Sequence, residues 1–215
     1  MPGRRRTRRG WRRRRLGQNF LCAEAAERFV RNARFSPDDL VVEIGPGSGS
    51  LTLPLARRGV DLVAVELDRD WAARLRERLR AGGLSNVRVV PADFRSFDLP
   101  KRPFRVVGNL PFHETRAILA LLLDDPRLPL RRADLIVQWG VAKKRTVHPP
   151  ETLRGTAWAP WWRFERGARI PARSFRPAPS VDAGVLTIER REPALLPEAM
   201  ARDYARFLRE RWPFT

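Results

Sequence analysis

Three short stretches of the sequence hold residue types that could bind a nucleoside, and each one ends a run of apolar residues. Residues 43–49 read EIGPGSG, and the glycines of such a G-x-G-x-G loop allow a sharp turn and the close approach of a ligand. Glu66 ends the next apolar run, where a carboxylate can accept hydrogen bonds from both hydroxyls of a ribose. Asp93 and Phe94 follow the third run and could meet an adenine amino group and ring. Each stretch alone could be an ordinary turn, but the series predicts an adenosine-shaped pocket.

Glu43 restricts the ligand further, because it lies two residues before the first glycine of the loop. An acidic residue there disfavours a pyrophosphate beside it. The loop also lacks the G-x-x-G spacing of a dinucleotide site and the Gly-Lys-Ser/Thr of a P-loop. A cationic ligand suits the position better, and the amino group and sulfonium of S-adenosylmethionine (SAM) supply such charges.

Residues 108–112, GNLPF, end a fourth apolar run with groups that suit an exocyclic amine on a nucleobase. The side-chain oxygen of Asn109 and a backbone carbonyl of Leu110 or Pro111 can accept its two N–H bonds, which draws the nitrogen toward tetrahedral geometry for attack. Phe112 can stack on the base, worth roughly 1–3 kcal/mol, and the base must leave its helical stack to be reached. Alone, the stretch could equally be a turn that leads into a helix.

These four stretches need a scaffold that brings the ends of separate strands together. Helical patterns alternate with apolar strands, the helices over residues 24–34, 51–58, 69–81 and 114–123 and the strands over 40–45, 61–67, 86–93, 104–110, 133–139 and 182–190. This alternation predicts an α/β, Rossmann-like fold, a mostly parallel sheet with helices on both faces. Ligands of such sheets bind beyond the carboxyl ends of the strands, which is where the four stretches fall.

The segment 140–181 shows no clear period and is predicted to be irregular. It is rich in Trp, Arg and Pro, which suits stacking on unpaired bases next to phosphate contacts, although its tryptophans could equally fold back onto the sheet. After residue 192 one amphipathic helix is expected before the chain ends.

The charge balance points to a polyanionic partner. The chain has 43 basic and 24 acidic residues, for a net charge of +19, and nucleic acid is the usual partner of such a surplus. Residues 1–15 contain nine arginines and no acid, which predicts an arm that binds RNA phosphates, with a solubilising tail as the alternative. The arginines of this arm are Arg4, Arg5, Arg6, Arg8, Arg9, Arg12, Arg13, Arg14 and Arg15.

The cysteine content and the length of the apolar runs indicate the cellular compartment of the protein. A single cysteine, Cys22, excludes an internal disulfide, fits a reducing cytoplasm and is expected to be a small buried thiol. The longest apolar run, Ala117–Leu123, has seven residues, far short of the roughly 18–20 needed to cross a bilayer. We therefore expect a cytoplasmic protein without a membrane partner, and no metal site, because no metal-ligand spacing occurs.

Six motifs in order resemble one family. They are GQNFL (17–21), VVEIGPGSGSLT (41–52), VAVELD (63–68), ADF (92–94), GNLPF (108–112) and SFRPAPSVDAGVL (174–186), and they resemble the rRNA adenine-N6 methyltransferases of the Erm and KsgA group. LIVQWGVAKKR (135–145) and AWAPWWRF (157–164) are more similar to the Erm branch. The resemblance implies SAM-dependent mono- or dimethylation of one adenine in the peptidyl-transferase loop of 23S rRNA, and with it macrolide–lincosamide–streptogramin B resistance.

The same resemblance implies roles for individual residues. The implied catalytic residues are Asn109, Leu110, Pro111 and Phe112, and the target base would lie against Phe112 and Phe175, the latter being equally well a core residue. His113 stands where relatives often carry a polar amide and is assigned no proton transfer. The implied cofactor-binding residues are Gln18, Asn19, Leu21, Glu43, Gly45, Gly47, Glu66, Leu67, Asp93, Phe94 and Asn109.

The predicted organisation has three parts: an Arg-rich arm (1–15), a catalytic domain (16–190), and a link with the start of a truncated or reduced C-terminal helical lobe (191–215). We expect a monomer that acts on 23S rRNA before ribosome assembly is complete. Two alternatives stay open: a KsgA-like enzyme for small-subunit rRNA, and a non-catalytic nucleic-acid-binding relative. In the second, Asn109, Phe112 or the glycine loop would be expected to be lost, and all three are present.

Overall fold

The computed structural model of the protein describes residues 19–212. Gln18 and the Arg-rich arm lie outside the described residues, so the predictions about them stay predictions. The nine strands are β1 (Phe20–Leu21), β2 (Leu40–Ile44), β3 (Asp61–Glu66), β4 (Val87–Pro91), β5 (Phe104–Asn109), β6 (Leu130–Gln138), β7 (Trp162–Ile170), β8 (Phe175–Arg176) and β9 (Ala183–Arg190). The α-helices are α1 (Ala23–Asn32), α2 (Thr52–Ala56), α3 (Arg69–Ala81), α4 (Thr115–Leu123), α5 (Trp139–Arg145), α6 (Leu153–Trp158) and α7 (Ala201–Arg211).

Seven strands form one sheet in the order β4-β3-β2-β5-β6-β9-β7. The first five strands in this order, β4, β3, β2, β5 and β6, are parallel to one another. β9 runs antiparallel to both β6 and β7. The chain leaves β2 toward β3 and β4 on one side and returns to β5 and β6 on the other, so the strand order reverses between β2 and β5. β1 and β8 form a separate antiparallel pair. The predicted mostly parallel α/β fold is confirmed.

Local sequence explains how the elements begin and end. Helix α3 starts after Asp68, whose carboxylate accepts the backbone N–H groups of Asp70 and Trp71 and so caps the first turn. Its buried face carries Ala72, Leu75 and Leu79 at helical spacing. β2 is buried at every residue because it lies inside the sheet with both faces covered.

The core lies on both faces of the sheet. On one face α4, α5 and the tryptophans Trp158, Trp161 and Trp162 pack against the strands, and on the other α1 packs with the β1–β8 pair. The three tryptophans are at most 2% exposed, so for them the alternative of folding back onto the sheet is the one that the structure shows.

Two expectations were wrong. The segment 140–181 is not irregular: it contains most of α5, all of α6, and the strands β7 and β8. Cys22 is exposed instead of buried, because it precedes α1 at the surface end of the β1 segment.

The C-terminal helix α7 packs against α6 and the adjacent Trp161. Tyr204 meets Trp161 edge-on at 6.1 Å between ring centroids, and Leu208 is buried. No helix within residues 19–212 is long and apolar enough to span a membrane.

Candidate functional site

A cleft opens at the carboxyl ends of β2, β3, β4 and β5, where the strand order reverses. It holds about 1020 Å³ of empty space, part of it open to solvent, and parallel sheets bind their ligands at this place. The predicted residues that line it are Asn19, Gly45, Gly47, Glu66, Leu67, Asp93, Phe94, Asn109, Leu110, Pro111, Phe112 and Phe175. The fold thus brings together residues that are up to 156 positions apart in the sequence, from Asn19 to Phe175.

The glycine loop is held in a conformation that only glycine adopts without strain. Gly45 and Gly47 have φ angles of +63° and +52°. A Cβ at Gly47 would come within 2.7 Å of the Phe20 ring, so the aromatic side chain of β1 lies directly on the loop. Phe20 also lines the cleft. Sequence reasoning missed it, although it stands between two residues of a motif that was singled out.

Glu66 lies at the end of β3 and is almost completely buried. One carboxylate oxygen accepts the backbone N–H of Gly47 at 2.8 Å and the other accepts that of Asp68 at 2.9 Å. Burial raises the pKa of Glu66, while these two hydrogen bonds act in the opposite direction. The carboxylate therefore ties the glycine loop to β3 and faces the cleft at its floor.

Glu43 lies inside β2 and does not line the cleft. Burial raises the pKa of its carboxyl group to about 8, the Thr52 hydroxyl opposes the increase, and the charge of Glu66 adds to it. Its Oε2 atom is buried without a hydrogen-bond partner among the described residues. At neutral pH the group is mostly protonated, so the predicted contact with a cationic ligand requires its ionisation.

Asp93 lies just after β4, where it is clamped by an arginine that the sequence analysis did not single out. Its carboxylate accepts the backbone N–H of Arg95 at 2.9 Å and the guanidinium Nη2 at 2.7 Å. These bonds lower the pKa of Asp93. Arg95 also lies 3.8 Å from Glu114, and both line the cleft, so this ion-pair chain connects the ends of β4 and β5.

Asn109 ends β5 with its side-chain amide in a defined orientation. Its Nδ2 donates to the backbone carbonyl of Asn19 at 2.7 Å. That bond engages the donor half of the amide and leaves Oδ1 as an acceptor.

The two residues after Asn109 differ in what their carbonyls already bind. The Pro111 carbonyl accepts the Glu114 N–H at 3.0 Å and the Thr115 hydroxyl at 3.4 Å. The Leu110 N–H donates to Ile136 at 3.0 Å, while no hydrogen bond to the Leu110 carbonyl occurs among the described residues. Of the two carbonyls, that of Leu110 has the larger free acceptor capacity.

The aromatic wall of the cleft is formed by Phe112 and Phe175. Phe175 is completely buried and pairs with Leu21 across β1 and β8, while Phe112 packs on the same cluster and is partly exposed. Leu21 lies in this core and does not line the cleft, so it can act on a ligand only through Phe175 and its neighbours. Phe175 is a core residue that also borders the cleft, and its contact with a target base stays a prediction.

The described residues contain no group of three or more His, Cys, Asp or Glu side chains that could hold a metal ion. His113 is half exposed at the rim, where its Nε2 atom lies 3.5 Å from Glu114.

A glycine loop at the reversal point of such a sheet, with Asn-Leu-Pro-Phe at the next strand end, defines the class of Rossmann-like SAM-dependent methyltransferases. Within this class, the family model described as ribosomal RNA adenine dimethylase matches residues 11–212. The chain belongs to that family.

Individual relatives agree with this assignment. The chain is 40% identical over 174 residues to an rRNA adenine N-6-methyltransferase of Corynebacterium diphtheriae, covering 81% of this chain and 67% of the relative. It is 43% identical over 199 residues to an rRNA methyltransferase of Streptomyces thermotolerans, covering 90% and 64%. Among solved structures, the 23S rRNA methyltransferase ErmE superposes with a TM-score of 0.78 at 32% identity, covering 89% of this chain and 78% of that chain. The chain thus spans about two thirds of the length of these two curated relatives.

Proposed function

We propose that the protein transfers a methyl group from SAM to the N6 atom of one adenine in the peptidyl-transferase loop of 23S rRNA. The observation that carries this proposal is the orientation of Asn109, whose Nδ2 is held by the Asn19 carbonyl so that Oδ1 remains an acceptor. An adenine N6 amine offers two N–H donors. Asn109 Oδ1 and the Leu110 carbonyl would accept them, and an exocyclic amine held in this way has its lone pair turned out of the base plane.

The carboxylate acceptors and the apolar walls of the cleft suit SAM. Glu66 would accept the ribose hydroxyls, Asp93 the adenine amino group, and the ring would lie between Leu67 and Phe94. Gly45 leaves the backbone open to the methionine end, because an added Cβ there would meet nothing within 4 Å. When bound, SAM supplies a methyl group on a sulfonium, which is a good leaving group, so the residues of this chain need to position the amine and need not supply a strong base.

The aromatic wall would hold the extruded base. Phe112 is partly exposed in the cleft next to Asn109 and can stack on an adenine, whereas Phe175 behind it is fixed in the core. A buried ring behind an exposed one keeps the stacking surface in place.

The choice of 23S rRNA rests on the resemblance of residues 135–145 and 157–164 to the Erm branch and on the structural likeness to ErmE. We further propose that the protein acts in the cytoplasm as a monomer, before ribosome assembly is complete, and that the modification causes macrolide–lincosamide–streptogramin B resistance. The N-terminal arginines would add phosphate contacts.

Primer extension on rRNA from cells that express the full chain tests this function. We expect a strong stop at one adenine of the peptidyl-transferase loop, because two methyl groups on N6 block base pairing, together with resistance to erythromycin. Asn109→Ala should abolish both. Asn32→Ala, at the exposed end of α1, is the matched control and should change neither.

Two results would count against the proposal. Labelled methyl found in small-subunit rRNA would establish the KsgA-like alternative, and full activity of Asn109→Ala would exclude the amine-binding role of that residue.

A further inference from the structure

A second group of residues lies at the same edge of the sheet as the cleft. Asn109 at the end of β5 is paired with Ile136 of β6, and Trp139 follows three residues later as the first residue of α5. The N–H of Trp139 donates to the carbonyl of Asp182, which precedes β9. Trp139 therefore stands on the β6–β9 side of the cleft, beyond the strand that carries the catalytic motif.

A β-bulge places two arginines over this tryptophan. Along β7, Arg166 is paired with Leu186 and Arg169 with Gly184, so that two residues of β7, 167 and 168, stand opposite the single residue Val185. In a regular strand, residues three positions apart point to opposite faces. The extra residue brings Arg166 and Arg169 to the same face, as bulges near active sites often do.

Glycine in β9 allows the indole ring of Trp139 to approach the strand closely. A Cβ at Gly184 would be 2.5 Å from Cε3 and 3.0 Å from Cζ3 of Trp139. The guanidinium carbons of Arg166 and Arg169 lie 5.2 and 5.7 Å from the ring centroid, within the range of a cation–π contact. Gly184 of β9, the indole ring of α5 and the two guanidinium groups of β7 thus lie one on another, although they come from three separate elements.

The two arginines differ in their counter-charges. Arg169 also forms an ion pair with Asp182 at 2.7 Å. Arg166 is exposed and forms no ion pair with any carboxylate between residues 19 and 212. An aromatic ring orients a guanidinium without neutralising its charge, so Arg166 keeps its full positive charge and the N–H groups at its edge.

We infer that Arg166, held over Trp139, binds a backbone phosphate of the RNA strand that carries the target adenine. A planar guanidinium with free edges can bind phosphate in a bidentate manner, and the exposed Lys143 and Lys144 of α5 add positive charge nearby. The phosphate contact sets the position of the strand, while residues 109–112 receive the base. This inference rests on the proposed function, because it takes the bound strand to be the substrate RNA.

Equilibrium binding tests this site. The probe is a fluorescent RNA hairpin with the sequence of the 23S peptidyl-transferase loop, titrated with the full chain over a series of KCl concentrations. Arg166→Gln should weaken binding about tenfold at low salt and reduce the slope of log K against log[KCl] by roughly 0.7–0.9, the value for one phosphate contact. The matched control is Arg163→Gln, because Arg163 is an exposed arginine of the same strand on its opposite face. It should leave both quantities unchanged.

Trp139→Leu measures the contribution of the aromatic ring to RNA binding separately from that of the Arg166 charge. It removes the π face, keeps Arg166, and should weaken binding severalfold with a smaller change in slope. The SAM affinity of each variant shows that it is folded. Equal losses in Arg166→Gln and Arg163→Gln, or no loss in Arg166→Gln, would overturn the inference.

The proposed function is measured separately, by methylation of the same hairpin with wild-type protein. If the wild type methylates it and the two arginine variants bind alike, the inference fails and the function stands. If the wild type does not methylate it, the 23S assignment fails, whereas a binding difference between the variants would still identify the phosphate contact.

Discussion

The two halves of the Asn109 side-chain amide differ: Nδ2 donates to the Asn19 carbonyl, and Oδ1 is the acceptor that we propose binds the target amine. An aspartate at this position would keep an acceptor but could not donate to Asn19. The carboxylate would instead face a carbonyl oxygen and turn away from it.

We therefore expect Asn109→Asp to lower kcat by about 100-fold or more, the usual cost of losing one positioned group at a reacting centre, while SAM still binds. Single-turnover methylation of the rRNA hairpin and SAM titration measure the two effects. Activity within a few-fold of wild type would mean that the bond to Asn19 is not what positions residue 109 for the reaction.

The buried carboxyl group of Glu43 predicts how the stability of the protein depends on pH. Its pKa is about 8 in the folded protein and near 4.5 in the unfolded chain. Between these values the unfolded chain releases a proton that the folded protein retains, so this residue's contribution to stability decreases as the pH rises from about 4.5 to about 8 and is constant above. Glutamine resembles the protonated acid and does not titrate.

The stability gained by Glu43→Gln relative to wild type should therefore grow between pH 5 and pH 8 and then level off. Urea unfolding at a series of pH values measures it. Parallel stability curves for the two proteins would show that Glu43 titrates normally.

The predicted contact between Glu43 and a cationic ligand can be tested separately. If the contact forms, SAM binding near pH 7 should release a proton from Glu43, which calorimetry in buffers of different ionisation enthalpy detects.

At the scale of elements, the β2–α2 loop and the β1 segment fit together through Gly47 and Phe20. Alanine at Gly47 would carry the cost of a left-handed backbone, about 1–2 kcal/mol, and would also place its Cβ 2.7 Å from the Phe20 ring. Gly83, after α3, has a similar φ of +65° but an added Cβ would meet nothing within 4 Å.

Gly47→Ala and Gly83→Ala should thus lose similar stability from the backbone, but only Gly47→Ala should weaken SAM binding, by about tenfold or more. Thermal unfolding and SAM titration of both variants separate the two costs. Equal SAM affinities would show that Phe20 can move without disturbing the cleft.

The segment 140–181 shows where pattern reasoning fails at this scale. In β7 the alternation of Trp162, Phe164 and Arg166 is interrupted by the bulge, and most of the strand is exposed at the edge of the sheet. Helices α5 and α6 have seven and six residues, too few to show a period. By contrast, α3 was predicted over residues 69–81 and occupies Arg69–Ala81, because thirteen residues with a cap and an apolar face give a clear signal.

At the scale of the whole molecule, the surplus of positive charge should dominate RNA affinity. The net charge of +19 includes nine arginines in residues 1–15. Every phosphate that an arginine neutralises should add roughly 0.7–0.9 to the salt slope of RNA binding.

Removal of residues 1–15 should therefore weaken binding of the rRNA hairpin at low salt, reduce the slope by several units, and leave SAM affinity unchanged. Fluorescence anisotropy at several KCl concentrations measures this. An unchanged slope would favour the alternative of a solubilising tail.

The sequence by itself determined the fold class, the order of the strand ends and twelve of the residues that line the cleft. The period of apolar residues, and a glycine or a carboxylate at a strand end, are local properties that can be read without the tertiary structure. Only the tertiary structure decided what these residues bind to. It placed Asn19 on the amide of Asn109 and Phe20 on Gly47, and it brought Arg166 over Trp139. Such contacts join residues from separate elements through register, a bulge and the packing of side chains, and no local pattern contains that information.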